Sequence, residues 1–287
     1  MRAPQALAFV AGFAACVGAA FALEPTPARV MSTNVCTDQL ALLLAKPGQL
    51  VSVSMLAADP RLSALHDRAA GHATNTGRAE EVFLVGPDLV VAADYSLHAL
   101  TRFVRDAGIA VEEFGFAATL DTIAGDLRRM GGLLGNSTEG ERLAVNVDQR
   151  LADLKRAACA RRPTALIRGQ NGIVQGAGTL AGSVLEAARF DNHAARLGYQ
   201  GMTPFPLELL IADPPDLLIL SEPWSGTAAS LADAVIDHPA LAHLPTLPSR
   251  NFAEPGVLTC GGPFTLDAAE ALARWRQENL PCKDMGS

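Results

Sequence analysis

Two glutamates stand at matching places in this chain, and their spacing is its strongest chemical signal. Glu80 leads Glu-x6-Pro87-Asp88-Leu89-Val90, and Glu208 leads Glu-x6-Pro215-Asp216-Leu217-Leu218, each position lying 128 residues before its counterpart. Each unit reads as a short helix opened by an acid, a Pro-Asp turn and a buried strand. The helix dipole favours an acid in a first turn by about 0.3–1 kcal/mol, which accounts for one such glutamate. It accounts less well for a symmetric pair at the same repeat position. Covalent chemistry has no comparable footing. There is no GxSxG elbow, no GxxxxGK[ST] loop, no HExxH and no GxGxxG after a strand. The Gly-rich run Met130 to Gly135 falls inside a helical stretch, where it cannot cradle a phosphate. The six histidines (His66, His72, His98, His193, His238, His243) contain no i, i+4 pair. A bare metal ion would need several of them to converge.

Alternating elements must position these residues. Strand-like runs at Arg29–Ser32, Leu50–Met55, Asp88–Ala93 and Ile109–Phe114 alternate with helix-like runs at Thr37–Leu44, Glu80–Val85 and Leu97–Ala107. This alternation predicts a parallel, doubly wound α/β layer. From Leu120 to about Ala158 apolar residues recur at helical spacing, broken only by Gly131-Gly132 and Gly135-Asn136-Ser137. This segment is one broken helix or two in succession, a spine between lobes. Strand-like residues resume at Thr164–Arg168, and the second Glu-x6-Pro-Asp unit makes the second lobe an echo of the first. The predicted division is a leader at 1–22, an N-terminal lobe at 28–118, the spine at 119–160 and a C-terminal lobe at 161–282.

Ligands of doubly wound sheets bind beyond the carboxyl ends of the strands, and a cleft between lobes is a preferred small-molecule site. Residues just past those ends are therefore the candidates for ligand contact: Thr33, Asn34, Leu56 and Tyr95 in the first lobe, Arg168, Gln170 and Trp224 in the second, with Tyr199 in a loop between them. Tyr95 and Trp224 fall at equivalent post-strand positions, seven residues past Asp88 and eight past Asp216. Each ring also has a plain packing role open to it, over a sheet edge for Tyr95 and over Pro223 for Trp224.

The start of the chain reads as an export signal: Arg2, an Ala-rich apolar stretch from Ala6 to Ala20, and the small-x-small site Ala20-Phe21-Ala22. A membrane anchor, or a lipid anchor at Cys16, are the other readings of this segment. No later run is long and apolar enough to span a bilayer. Export permits disulfides, and Cys36, Cys159, Cys260 and Cys282 allow three pairings, with no CxxC or CxH spacing to indicate zinc. A Cys36–Cys260 bond would restrain the lobes, and Cys159 with Cys282 is the preferred other pair because both follow the ends of predicted helices. The net charge of −7 argues against a nucleic-acid partner.

Taken in order, Arg29-Val30-Met31-Ser32, Thr37-Asp38-Gln39-Leu40, Val51-Ser52-Val53-Ser54, the two Glu-x6-Pro-Asp units and the helical spine resemble the iron-complex and vitamin B12 class of periplasmic binding proteins. The resemblance runs from about Ala28 to Leu280. It implies two α/β lobes joined by one long backbone helix, a ligand cleft between them and only small closure on binding. It also implies a monomeric, non-enzymatic receptor without a resident cofactor. Such a receptor delivers a ferric siderophore, haem or cobalamin to the permease dimer of an ABC importer, with Glu80 and Glu208 docking into arginine pockets. Tyr95 would then be an axial ligand if the cargo is haem, and Arg168 a contact for an anionic chelate. Leu56 stands where corrinoid-binding members carry a ring. Other expectations are a bare metal-ion receptor, an exported α/β enzyme acting on a bulky cofactor, and a sensor subunit with no transport partner.

Overall fold

The computed structural model describes residues 26–94, 98–115, 119–156, 162–220, 239, 241, 244–250, 253 and 256–280. Val30–Ser32 (β1), Leu50–Ser54 (β2), Thr74–Asn75 (β3), Leu89–Ala93 (β4) and Ala110–Phe114 (β5) form one sheet in the order β3-β2-β1-β4-β5, parallel throughout. β1 and β4 are buried at every residue, as strands covered on both faces must be. Val35–Leu44 (α1), His66–Ala69 (α2), Ala79–Val85 (α3) and His98–Asp106 (α4) make the crossovers. With β1 central and the chain moving outward on either side, this is the doubly wound layer expected from the alternation.

Polar residues on α1 fasten it to the sheet. Asn34 caps the helix, its Oδ1 accepting the Cys36 N–H at 2.9 Å. Asp38 is fully buried and accepts both the N–H and the hydroxyl of Ser54, at 3.0 and 2.5 Å. Gln39 Oε1 accepts the Ala64 N–H at 2.9 Å. The Thr37-Asp38-Gln39 run therefore pins the end of β2 and the loop beyond it. Burial pushes the Asp38 carboxyl up to about 6, against the downward pull of its hydrogen bonds with Ser32 and Ser54.

Ile123–Leu133 (α5) and Ser137–Arg156 (α6) lead to the second sheet. There Thr164–Arg168 (β6), Ile173–Gln175 (β7), Asp191–Asn192 (β8), Met202–Pro204 (β9), Leu217–Leu220 (β10) and Leu247–Arg250 (β11) are laced with Leu180–Ala187 (α7), His193–Arg196 (α8) and Leu207–Ala212 (α9), and Pro263–Asn279 (α10) follows. β6, β10, β11 and β8 are parallel. β7 and β9 run antiparallel to their neighbours, so the second lobe is mixed and echoes only the central part of the first. The cause is local: Asn171 and Gly172 sit at φ 54° and 69°, and Gly169 N–H donates to Ile173 O at 2.7 Å. The chain therefore reverses in a tight turn after β6, where a crossover helix would have kept it parallel.

The shared part repeats the same kind of tie. Val30 pairs with Leu89 and Ala165 with Leu217 at the starts of the two central strand pairs. Asp88 Oδ2 accepts the N–H groups of Ala28 and Arg29 at 2.8 and 2.9 Å. Asp216 Oδ2 accepts the N–H and the hydroxyl of Thr164 at 2.7 and 3.0 Å. The Pro-Asp turn of each repeat thus ties the lobe's first strand to its neighbour.

The spine is two helices rather than one. α5 folds back antiparallel on α6, and the twenty residues of α6 make the long element, about 30 Å by helical rise. A Cβ added at Gly131 would lie 2.9 Å from Gly140 Cα, and one at Gly140 would lie 2.8 Å from Leu127 O, so this close crossing depends on two glycines. One apolar core runs through the assembly, including Val30 and Val91 of the first lobe, Leu127 and Val147 of the spine, and Leu185, Leu217 and Leu266 of the second. Arg150 of α6 holds α10 through Asp267 and Glu270, at 2.5 and 2.6 Å. A second covalent tie joins the lobes: Cys36, in the first turn of α1, is bonded to Cys260 just before α10, across 224 residues of sequence, with Cα atoms 5.2 Å apart. The chain returns to the first lobe at Gly256, where a Cβ would lie 2.8 Å from the Ser63 backbone. Cys159 and Cys282 lie outside the described residues.

Four outcomes follow from this packing. Gly140→Ala should lower stability by about 1–3 kcal/mol although alanine is the better helix former, because its methyl meets a backbone oxygen. Gly125→Ala, with open space around it, should not lower the thermal midpoint. The raised Asp38 carboxyl favours the neutral acid in the folded chain. Its contribution is complete below about 3.8 and is lost as pH rises through about 6. The stability of wild type relative to Asp38→Asn should therefore fall by about 2–3 kcal/mol between those limits, measured by urea unfolding. Replacing Cys36 and Cys260 by alanine should cost about 2–5 kcal/mol, read as a lower thermal midpoint in the double variant.

Candidate functional site

The carboxyl ends of the first sheet bring Thr33, Asn34 and Leu56 together. Thr33 extends the β1–β4 ladder, its N–H donating to Val91 O at 3.1 Å, and Asn34 spends its side-chain oxygen on the α1 cap. Both are half-buried. Leu56 lies in a 3-10 turn spanning Met55–Ala58 and is 41% exposed. Its neighbour Met55, placed by the strand pattern as the last residue of β2, is 59% exposed. β2 ends one residue earlier because Asp38 captures Ser54, and Met55 turns outward. The usable signal was the apolar pair Met55-Leu56 directly after a strand. Behind these residues Asn75 Nδ2, buried, donates to Ser32 O, Ser52 Oγ and Val53 O, locking the ends of three strands. The Cys260 segment approaches the same edge, with Gly261 lining a small crevice beside Cys36, Ala93, Phe114 and Gly115. Tyr95 lies outside the described residues, one position past Asp94.

In the second lobe Arg168 ends β6 and is only 2% exposed. Its Nη1 donates to Phe205 O at 2.9 Å, and the guanidinium lies under Gly172, where a Cβ would come within 2.6 Å of it. Burial lowers the Arg168 pKa from its usual value, and its Nε has no hydrogen-bond partner among the described residues. Gln170 is half-buried in the turn that follows. Tyr199 is set apart from these. It lies beyond the far end of β7, where its carbonyl accepts the Ala177 N–H at 3.0 Å, and its ring packs on Phe205 with 4.9 Å between centroids. The spacing pattern placed Tyr199 in a loop without revealing that core contact. Trp224 lies outside the described residues.

The two glutamates occupy equivalent short helices, α3 and α9, each leading through a buried proline into a central strand. Glu81, beside Glu80, has a structural role. Its carboxylate accepts the N–H groups of Arg78 and Thr76 at 3.0 and 2.8 Å, and these bonds hold its pKa below the usual range. Glu80 and Glu208 are exposed and make no hydrogen bond or ion pair among the described residues. α9 is anchored behind its glutamate by Arg196, which donates to Asp213 Oδ2 at 2.7 Å. His193 is buried beside this pair, and burial pushes its pKa down, towards the neutral ring.

Among the described residues no three His, Cys, Asp or Glu side chains gather as a metal site, and no helix is long and apolar enough to cross a membrane. The leader expected at 1–22 lies outside the described residues.

Known proteins share this fold. A cobalamin-binding protein of Halobacterium salinarum is 25% identical over 219 residues, which cover 75% of this chain and 58% of that protein. The chain thus spans little more than half the length of this curated relative. The apo periplasmic haem-binding protein RhuT of Roseiflexus sp. RS-1 superposes with a TM-score of 0.67 at 24% identity, over 86% of this chain and 96% of that one. The haem-binding protein HutB of Vibrio cholerae gives 0.71 at 19%, over 86% and 98%. The vitamin B12-binding protein BtuF of Vibrio cholerae gives 0.62 at 18%, over 88% and 98%. At these identities the solved structures establish the two-lobed fold. The periplasmic binding protein family model matches residues 30–254, the span that holds both sheets, the spine and both glutamate helices, and the chain belongs to that family.

Proposed function

We propose that this chain is the exported, periplasmic receptor of an ABC importer, that it is not an enzyme, and that its cargo is a metal tetrapyrrole, haem or a corrinoid. The observation that carries the importer reading is the pair Glu80 and Glu208, exposed, unpaired among the described residues and equivalent in the two lobes. Two carboxylates so placed would set the orientation and association rate of docking more than its affinity. The cargo class rests on two further points. Met55 and Leu56 present an exposed apolar surface at the carboxyl end of β2, which suits a flat macrocycle better than a hydrated ion. The relatives described above are named as binding cobalamin, haem or vitamin B12. Tyr95 and Trp224 are the rings proposed to contact the cargo. A bare-ion receptor requires converging ligands, and none converge among the described residues.

The test is a titration of the protein with haemin, cyanocobalamin and a panel of ferric siderophores, followed by absorbance and tryptophan quenching. Saturable binding of a tetrapyrrole at micromolar or tighter Kd is expected, weakened at least about tenfold in Met55→Ser/Leu56→Ser. Binding of a siderophore alone would replace the tetrapyrrole reading, and binding of nothing would remove the chelate reading. In cells, Glu80→Ala/Glu208→Ala should abolish uptake with ligand affinity unchanged; normal uptake would sink the docking role.

A further inference from the structure

We infer that importer docking is unequal between the lobes, with an apolar anchor beside Glu80 that the described residues of the second lobe do not repeat. The inference rests on the docking role proposed above and adds the surface that supplies its affinity. On α3, Phe83 lies three residues after Glu80 and therefore on the same helix face. It is 50% exposed, and the next residue, Leu84, is 86% exposed. Phe103 of α4, 52% exposed, meets the Phe83 ring edge to face with 5.8 Å between centroids. Val82, on the opposite side of α3, is fully buried, so the helix makes its core contact there and leaves the Phe83–Leu84–Phe103 patch open to solvent. In the second lobe the equivalent of Phe83 is Ile211, 48% exposed, and the equivalent of Leu84 is Ala212. The acid and an apolar residue at its +3 position are thus repeated on α9, but the Phe83 ring and the leucine are not.

The occupant follows from this arrangement. A surface carrying the same acid-plus-apolar unit on two pseudo-equivalent lobes fits a partner with two like surfaces, which a two-fold permease dimer presents. A free carboxylate next to an exposed phenyl ring complements arginine, whose guanidinium pairs with the acid and stacks on the ring. Clusters of aromatic residues near an interface centre supply most of its binding energy, whereas exposed charge pairs supply little. The first lobe therefore holds the salt-resistant anchor, and the second lobe a mainly electrostatic contact.

The experiment measures binding of the protein to the importer's permease–ATPase complex in lipid nanodiscs at low and high salt. Phe83→Ser/Leu84→Ser should weaken binding at least about tenfold and make the remainder salt-sensitive, while Ile211→Ser changes it less than about threefold. All three side chains are exposed, and unchanged thermal midpoints would exclude misfolding. Equal losses from Ile211→Ser and the double variant would overturn the asymmetry. Wild-type binding by the double variant, with loss in Glu80→Ala and Glu208→Ala, would overturn the anchor and leave the docking role standing. If none of these variants alters binding, both readings fall. A wild-type dimer in sedimentation that Phe83→Ser/Leu84→Ser makes monomeric would assign the patch to a second copy of this chain and overturn the inference.

Discussion

The contact between α5 and α6 is the constraint on which the rest of the molecule depends. Two glycines let these helices approach closely enough for Leu127, Met130, Ala144 and Val147 to be fully or almost fully buried between the lobes. The apolar core therefore does not stop at a lobe boundary, and relative movement of the lobes would have to open packed surface. The Cys36–Cys260 bond adds a covalent tie on the side where the strands end.

The same economy governs polar residues. Near the ends of the first sheet Asp38, Asn75 and Asn34 are spent on backbone groups, as buried or half-buried donors and acceptors must be. What remains for solvent is apolar at Met55 and Leu56 and anionic at Glu80 and Glu208. Glu80 and Glu81 are adjacent acids of one helical turn, yet one closes the turn behind it and the other faces water. Their difference lies in direction around the helix, since neighbouring residues on a helix do not share a face.

Strand and helix positions were largely legible in the residues. β4 and β10 read as buried strands because they are unbroken apolar runs after Pro-Asp, and the α5 and α6 stripes follow a helical period. The 128-residue repeat located both glutamate helices, since local pattern and tertiary equivalence agree there. Less was legible at the site. Arg168 looked like a strand-end cation open to ligand, but the Asn171-Gly172 turn folds over it and buries it. Tyr199 looked like a loop residue, and its ring belongs to the Phe205 core. The reversal at β7 was equally hidden, because its cause is backbone conformation at two residues and not a periodic pattern.

The sequence by itself determined the alternation of elements, the two-lobed plan, the helical segment between the lobes and the paired acids, all of which rest on local periodicity or on a repeated spacing. Tertiary structure alone decided that the spine doubles back, that Cys36 meets Cys260, and which of two adjacent acids is left free. Those outcomes depend on contacts between elements that local pattern does not relate, such as Gly131 of α5 with Gly140 of α6 and Cys36 with a partner 224 residues away. Local pattern carries no record of which distant surface a residue will meet, and burial, pairing and exposure are set by that meeting.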